Sequence, residues 1–413
     1  MRLDHSGQTT DDRQNFMGRF DHGLWTIDYR LLTFFLSPFS FRPFPFLRFS
    51  FFLFSILITG CALPMRGVVY LRPDLKDHKW LHARDLKAPE TPFRFFESAP
   101  NDLGKRIGVN DWSPYVVPIW RNLDELVEAH PNQALVIIRN DSILYAHYAD
   151  GDKAHLHPSY SVAKSFTSAL VGFAVQDGLI GSLDDLVSTY LPGLSKDPRY
   201  NRVKLKHLLN HTSGIEHPLT VDGLLYYGKY LGKATRFIKF KREPGVDQAY
   251  MNMNVWLLGQ VLEKVTGAPL NEYMQTKIWI PLGMESDARW SADRKERIKP
   301  YCCIQATALD YAKFGRLYMK KGNWQGEQLL NKYWVESTLS RDTTEGGTFG
   351  YHNCWYIGYK EYNDFMAIGL YKQHIYINPD RNIIIISMNE RPHSKAQKSL
   401  NWEDIFHQIV DQL

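Results

Sequence analysis

The sequence predicts an α+β fold in which strands from both ends of the chain share one central antiparallel sheet, with a mostly helical lobe inserted between them. Three observations predict it. Ala134-Leu-Val-Ile-Ile-Arg139 and Ser142-Ile-Leu-Tyr-Ala-His-Tyr148 are apolar runs split by the turn pair Asn140-Asp141, which reads as a hairpin. Near the other end, Gln373-His-Ile-Tyr-Ile-Asn378 and Asn382-Ile-Ile-Ile-Ile-Ser387 flank Pro379-Asp380-Arg381 and read as a second one. Between them, residues from about 180 to 340 follow helical spacing. Two hairpins that must each bury a face are best served by a shared sheet, with the helical insert packed against it as a second lobe. A cleft between the lobes is where a site is expected.

The elements follow in order. Residues 31–60 are rich in Phe, Leu and Ile but are broken by Arg42, Pro43, Pro45 and Arg48. The uncharged run from Phe49 to Gly60 is shorter than the roughly 18–20 residues needed to span a bilayer, and it has the form of a secretory signal. It ends in Ile58-Thr59-Gly60-Cys61, which resembles a bacterial lipobox, where the Cys takes acyl chains worth about 0.8 kcal/mol of membrane affinity per buried CH₂. Residues 1–61 are therefore read as a signal peptide with Cys61 as its lipidation site. That would tether the mature chain to a membrane in the bacterial cell envelope. An ordinary signal or a signal anchor with a chance Cys is the plainer alternative, and Met17 is a candidate start. Residues 62–120, with many Pro and charges and no clear period, are read as a tether and packing extension, and 121–413 as the functional domain.

Within that domain a helix is expected over 161–176, with Phe166, Leu170, Phe173 and Ala174 on one face and Gly178 as its stop. Further helices are expected over 254–266, closed by Gly267, and over 308–320, with Thr307 as N-cap. A short amphipathic helix should occupy 401–413. Hydrophobic residues make up 44% and charged residues 23% of the chain, which excludes a disordered, collagenous or multi-span membrane protein. A net charge of +5 is too mild to imply nucleic acid, and no dense Lys/Arg run accompanies it. Four Cys cannot staple a chain of this size. Cys302 and Cys303 are adjacent and neighbours pair poorly with each other. Cys354 could pair with either, but buried free thiols are the expectation.

Three clusters could carry chemistry. Ser161-Val-Ala-Lys164 stands at the start of a helix, where the dipole favours an alkoxide, and a residue three further on shares its face. A buried, neutral Lys164 could take the Ser161 proton; a helix cap followed by a solvated Lys is the bland alternative. Tyr250-Met-Asn252 follows Pro244-Gly245 and precedes a helix. A phenol near cations can shuttle a proton, and an Asn can orient a Lys and a substrate amide. His207, His211, Gly214 and His217 have the spacing of a zinc metalloprotease, but Leu208 occupies the place of the general-base Glu, so a bound water would lack a proton acceptor. The structural reading there is a helix end closed by a His-Thr-Ser-Gly turn.

Ser161-x-x-Lys164, then Leu208-Leu-Asn-His-Thr-Ser-Gly214, then Pro-Gly…Tyr250-Met-Asn252 resemble the serine β-lactamase-related family. Its members include class C β-lactamases, D-alanyl-D-alanine peptidases, and related esterases and amide hydrolases. Pro281-Leu-Gly-Met284, Ala306-Thr-Ala-Leu-Asp310-Tyr-Ala-Lys-Phe-Gly315 and Tyr376-Ile-Asn-Pro379 are similar to it too, so the ordered set covers roughly 130–390. The resemblance implies a bilobed β-lactamase/penicillin-binding-like fold. It implies Ser161 as acylated nucleophile, Lys164 and Tyr250 as its proton-transfer pair, and Asn252 as a holder of Lys164 and substrate. It implies no metal and no organic cofactor. The oxyanion would be held by the Ser161 N–H and by the edge of the last hairpin. There the sequence departs: relatives carry Lys-Thr-Gly or His-x-Gly, and here Gly369-Leu-Tyr-Lys-Gln373 most resembles a Gly-His-x-Gly-Gln form, with Leu370 and Lys372 substituted and Gln373 N–H as the second donor. Strand alternation would point Leu370 and Lys372 to one face, with Lys372 restoring a charge or blocking the groove. Trp355, Tyr351 and Tyr371 are candidates to line the pocket, with core packing the plainer reading for each taken singly. The resulting expectation is a serine hydrolase acting on a small-molecule or peptide ester or amide. The alternative is a degenerate envelope lipoprotein that binds cell-wall peptide or a partner without turnover.

Overall fold

Leu135, Val136, Ile137 and Ile138 are all buried, and so are Ile383 to Ile386. Strands apolar on both faces must be covered on both faces, and the computed structural model shows how. It describes residues 73–110, 119–392 and 400–413; the leader and Cys61 lie outside the described residues. The elements that position the site are strands β1 (Ala83–Leu86), β2 (Phe96–Glu97), β3 (Asn132–Arg139), β4 (Ser142–Tyr148), β5 (His157–Pro158), β6 (Ala288–Ser291), β7 (Ile304–Ala306), β8 (Tyr351–His352), β9 (Trp355–Ile357), β10 (Phe365–Gly369), β11 (Gln373–Asn378) and β12 (Ile383–Asn389). Helices α1 (Ala163–Gln176), α2 (Asn252–Thr266), α3 (Ala308–Met319) and α4 (Trp402–Asp411) complete the set. Residues 74–216 and 229–413 form one compact unit. Residues 217–228 belong to another; taken alone they hold the helix Leu219–Tyr227, with His217 Nε2 3.7 Å from the Asp222 carboxylate.

One eight-stranded sheet runs β8-β9-β10-β11-β12-β3-β4-β2. The two hairpins read from the sequence are its centre, joined by antiparallel β12–β3 pairing with Ile385 opposite Ile137. The first hairpin turns on Asn140 and Asp141 at φ +51° and +61°, the left-handed pair of a two-residue turn. The sheet is mixed rather than wholly antiparallel, because the two-residue edge strand β2 lies parallel to β4. Alternation along β11 assigns the two covering layers. Ile375 faces α3, so closely that a Cβ on Gly315 would stand 2.8 Å from its Cγ2. His374 and Tyr376 face α4, with ring centroids 5.2 and 5.0 Å from Phe406. A second, four-stranded antiparallel sheet, β1-β6-β7-β5, brings the chain to the start of α1.

Helix α1 is buried from Ala163 to Ala174, and Phe166 stacks on Phe314 of α3 at 3.7 Å. Its first turn differs from the reading: Tyr160–Val162 is 3₁₀ and the α-helix begins at Ala163. Helix α2 ends at Gly267 with φ +66°, and Thr307 caps α3 by accepting from Asp310 N–H at 3.1 Å. The Asp310 carboxylate in turn accepts from Glu285 N–H at 2.6 Å and from Lys313 Nζ at 3.1 Å. That network explains why the Pro281–Met284 and Ala306–Gly315 motifs occur together: one carboxylate closes the first turn of α3 and anchors the loop after Met284. The cysteine expectation is overturned for the adjacent pair. Cys302 and Cys303 form a disulfide with each other, while Cys354 is the buried free thiol expected, the only one among the described residues; the turn that places Cys303 at φ +74° brings the neighbouring sulfurs together. Among the described residues no helix is long and apolar enough to cross a membrane.

Candidate active site

Ser161 sits in the 3₁₀ turn that leads into α1. The two-stranded join of β5 and β7 fixes that turn: Ser159 N–H donates to the Ile304 carbonyl at 2.8 Å, and Ile304 N–H to Ser159 Oγ at 2.9 Å. Tyr160, immediately before Ser161, has φ +42°, a region that costs a non-glycine residue roughly 1–2 kcal/mol and that collects at functional sites. One turn later Lys164 is 1% exposed. Its Nζ donates to Ser161 Oγ at 2.9 Å and to the Tyr301 carbonyl at 2.9 Å. It also stands 4.8 Å above the centroid of the Tyr250 ring. Two distant segments thus bring Ser161, Lys164 and Tyr250 together, the lysine meeting the face of the phenol. Asn252 is the first residue of α2 and half-buried.

The Leu-Leu-Asn-His-Thr-Ser-Gly turn holds the Tyr250 loop through its backbone. Ala249 N–H donates to the His211 carbonyl and Gly245 N–H to the Thr212 carbonyl, both at 2.8 Å. The His211 ring lies 4.4 Å from that of Tyr250 and 5.5 Å from that of Tyr351. Its Nδ1 accepts from Asn254 Nδ2 at 3.1 Å and Met251 N–H at 3.4 Å, so the ring proton belongs on Nε2. Burial, then the charge of Lys164, pushes the His211 pKa well below its usual value, and the ring is neutral. Asn254 Oδ1 accepts from Ser213 Oγ at 2.6 Å. Sequence reasoning missed this supporting group of His211, Ser213, Asn254 and the Tyr301 carbonyl. The one available signal was Asn254, which repeats Asn252 two positions later in Tyr250-Met-Asn-Met-Asn254.

The histidines with zinc-like spacing are separately engaged. His207 Nδ1 accepts from Lys204 N–H at 3.1 Å while its Nε2 meets Glu345 Oε2 at 2.5 Å, and His211 is committed to Asn254 and Met251. Trp355 does not line a pocket. It is fully buried in an aromatic core, its centroid 4.4 Å from Tyr318, 5.4 Å from Phe365 and 5.8 Å from Phe314, because β9 turns its indole toward α3.

At the last hairpin, β10 approaches the nucleophile turn so closely that a Cβ on Gly369 would lie 2.4 Å from the Ser159 carbonyl oxygen. Only glycine fits there, so the end of β10 is held against the nucleophile turn. Leu370 and Lys372 do not alternate along a strand. Residues 370–372 are a tight turn closed by Lys372 N–H donating to the Gly369 carbonyl at 3.1 Å, since three residues are all that separate β10 from β11. Tyr371 and Lys372 both have left-handed φ, +63° and +65°, and the Tyr371 ring meets Tyr160 edge-on at 5.5 Å. The Gln373 side chain is spent on the sheet, bonding the Asn389 backbone through both its amide atoms. Only its backbone can face the groove.

Comparison with known proteins accords with this arrangement. A 6-aminohexanoate-dimer hydrolase of Paenarthrobacter ureafaciens is 24% identical over 300 residues, 66% of this chain and 76% of that protein. A "Putative D-alanyl-D-alanine carboxypeptidase" of Escherichia coli K12 is 28% identical over 183 residues, which is 38% of this chain and 42% of the relative's own length. Among solved structures, "Putative 6-aminohexanoate-dimer hydrolase from Bacillus anthracis" superposes with a TM-score of 0.70 at 23% identity, covering 82% of this chain and 90% of that one. A class C β-lactamase in complex with cefoxitin gives 0.51 at 17%, covering 70% and 96%. These structures share the β-lactamase/penicillin-binding-like α+β fold. The Beta-lactamase family profile matches residues 120–408, a span that holds every residue of the cluster around Ser161, and the chain belongs to that family of serine hydrolases.

Proposed function

We propose that the chain cleaves an ester or amide through an acyl-enzyme on Ser161. The observation that carries this reading is the 2.9 Å contact between Lys164 Nζ and Ser161 Oγ with the lysine buried, because an amine held out of water is the base that a serine nucleophile needs. Ser161 Oγ attacks the carbonyl carbon as Lys164 takes its proton. Tyr250 gives its hydroxyl proton to the leaving oxygen or nitrogen as the carbonyl bond to it breaks, and Lys164 restores a proton to Tyr250. Water then attacks the acyl carbon, releases the acid and returns the proton to Ser161. The Ser161 and Gln373 N–H groups bind the oxyanion. The geometry of Gly369 supports this, since it keeps the start of β11 against the nucleophile turn.

Two features favour a linear amide or ester over a β-lactam. The match to the Paenarthrobacter protein, whose name specifies an amide dimer, covers more of the chain than the carboxypeptidase matches do. And Leu370 stands in the turn where the resemblance places a cation or His. A second reading, binding without turnover, draws on Lys372, half-buried in the turn where the resemblance places a small Gly. The tests are separate incubations with a fluorophosphonate and a penicillin, followed by intact mass and adduct mapping. An adduct on Ser161 that Ser161→Ala abolishes, with the fold retained, is expected from the fluorophosphonate. Folded protein that takes neither probe would leave binding without turnover. We propose further that Cys61 carries a lipid anchor, for which radiolabelled palmitate incorporation lost in Cys61→Ser is the expected result.

A further inference from the structure

Near the site, the neighbouring cysteines are a redox-capable pair that acyl transfer does not use. Cys302 and Cys303 are joined by a disulfide and are 6% and 2% exposed. A bridge between neighbours closes almost no loop, so it removes little entropy from the unfolded chain; global stabilisation is a poor account of it. Its placement offers a better one. It directly follows Tyr301, whose carbonyl is the second acceptor for Lys164 Nζ. The backbone on either side is pinned. The Pro300 carbonyl accepts from Thr167 Oγ1 at 2.7 Å, the Cys302 carbonyl from Trp290 Nε1 at 2.9 Å, and the Cys303 carbonyl from Ser291 N–H at 3.1 Å. Within that frame Cys303 is held at φ +74°, a conformation a non-glycine residue keeps only when its surroundings enforce it.

The chemistry of the lysine explains why this matters. The ammonium donates to Ser161 Oγ; to act as a base, the deprotonated amine must instead turn its lone pair there while its remaining N–H bonds point elsewhere. A carbonyl that accepts one of those N–H bonds sets the rotation of the amine. We propose that the Cys302–Cys303 disulfide is a positioning element of the acylating centre, locking the Tyr301 carbonyl onto Lys164, so that its two-electron reduction by a dithiol slows acylation of Ser161. This rests on the hydrolase reading above. In the reduction, a thiolate of the dithiol attacks one cysteine sulfur and the other cysteine leaves as thiolate. The second thiol of the reductant then displaces the first cysteine. The protein gains two electrons and two protons, and the reductant becomes its cyclic disulfide.

The experiment measures the rate of fluorophosphonate labelling against pH for the oxidised chain, the dithiothreitol-reduced chain and the Cys302→Ser/Cys303→Ser variant. Intact mass reports the redox state and thermal unfolding reports the fold. The expected result is labelling about tenfold or more slower in both altered forms, with a displaced acid limb of the pH profile, while Tyr250, His211 and Cys354, the other titratable groups near Lys164, are unchanged. Cys354→Ser should keep the full response to reductant. If the double variant does not fold, the reduced wild type decides the matter; if the buried bridge resists dithiothreitol, the variant does. Equal rates and equal pH profiles in oxidised and altered protein would overturn the inference alone. Failure of the oxidised wild type to label at Ser161 would overturn the hydrolase reading and the inference with it.

Discussion

At Lys372 the backbone φ of +65° sets a side chain of four methylenes where the chain geometry suits glycine. The left-handed region costs such a residue roughly 1–2 kcal/mol, and glycine gives back about 0.5–1 kcal/mol through its freer unfolded state. Lys372→Gly is therefore expected to stabilise the protein by about 0.5–1 kcal/mol in urea unfolding. It also removes the ammonium from the turn that follows β10, so labelling at Ser161 should rise if Lys372 obstructs substrate and fall if Lys372 binds it. The residue scale is also where the sequence was least legible. Ser161, Lys164 and Tyr250 could be picked out because each lies in a short motif. His211 could be read only as a helix end, because what defines its role is Asn254, 43 positions away. Trp355 was misplaced because burial depends on which face of β9 meets α3, and no local pattern reports that.

Elements with strong local chemistry were legible to within a few residues: α2 through Gly267, α3 through Thr307, and the hairpins through their turn residues. The 3₁₀ start of α1 was not, since one tight turn leaves apolar spacing almost unchanged. The turn at 370–372 was missed for lack of any Gly or Asn, and the vicinal disulfide because it runs against the general behaviour of adjacent cysteines. Where two connecting segments meet, Glu345 joins them. Its carboxylate contacts Lys204 at 3.1 Å, Lys206 at 3.0 Å and His207 at 2.5 Å. Burial pushes its pKa up, but hydrogen bonds from Lys206, His207 and Lys204 outweigh that and hold it at about 2, against an ordinary 4.5. A depressed carboxyl stabilises the fold above its unfolded pKa and loses that contribution as pH falls toward the folded one. Glu345→Gln should accordingly be less stable than wild type at neutral pH, and the gap should close between about 4.5 and about 2. A gap that stays constant over that range in urea unfolding would show that the carboxylate charge does not hold the two segments together.

For the molecule as a whole, the pairing of β3 with β12 sets the order of events. Arg139 lies opposite Ile383, roughly 240 residues later, and contacts of that separation form slowly because the loop between them must close first. A chain ending before Gln373 has the first hairpin but neither β11 nor β12. It should remain protease-sensitive and prone to self-association, whereas the full chain resists both in limited proteolysis and light scattering; a truncated chain as resistant as the whole would refute this. During synthesis the same arithmetic leaves β3, with Val136 to Ile138 apolar on both faces, as an open edge until nearly all of the polypeptide has emerged. The proposed acylating centre lies between the nucleophile turn and the end of β10, so on that reading its assembly waits for β11 and β12, and the sheet's long-range closure sets when activity can first appear.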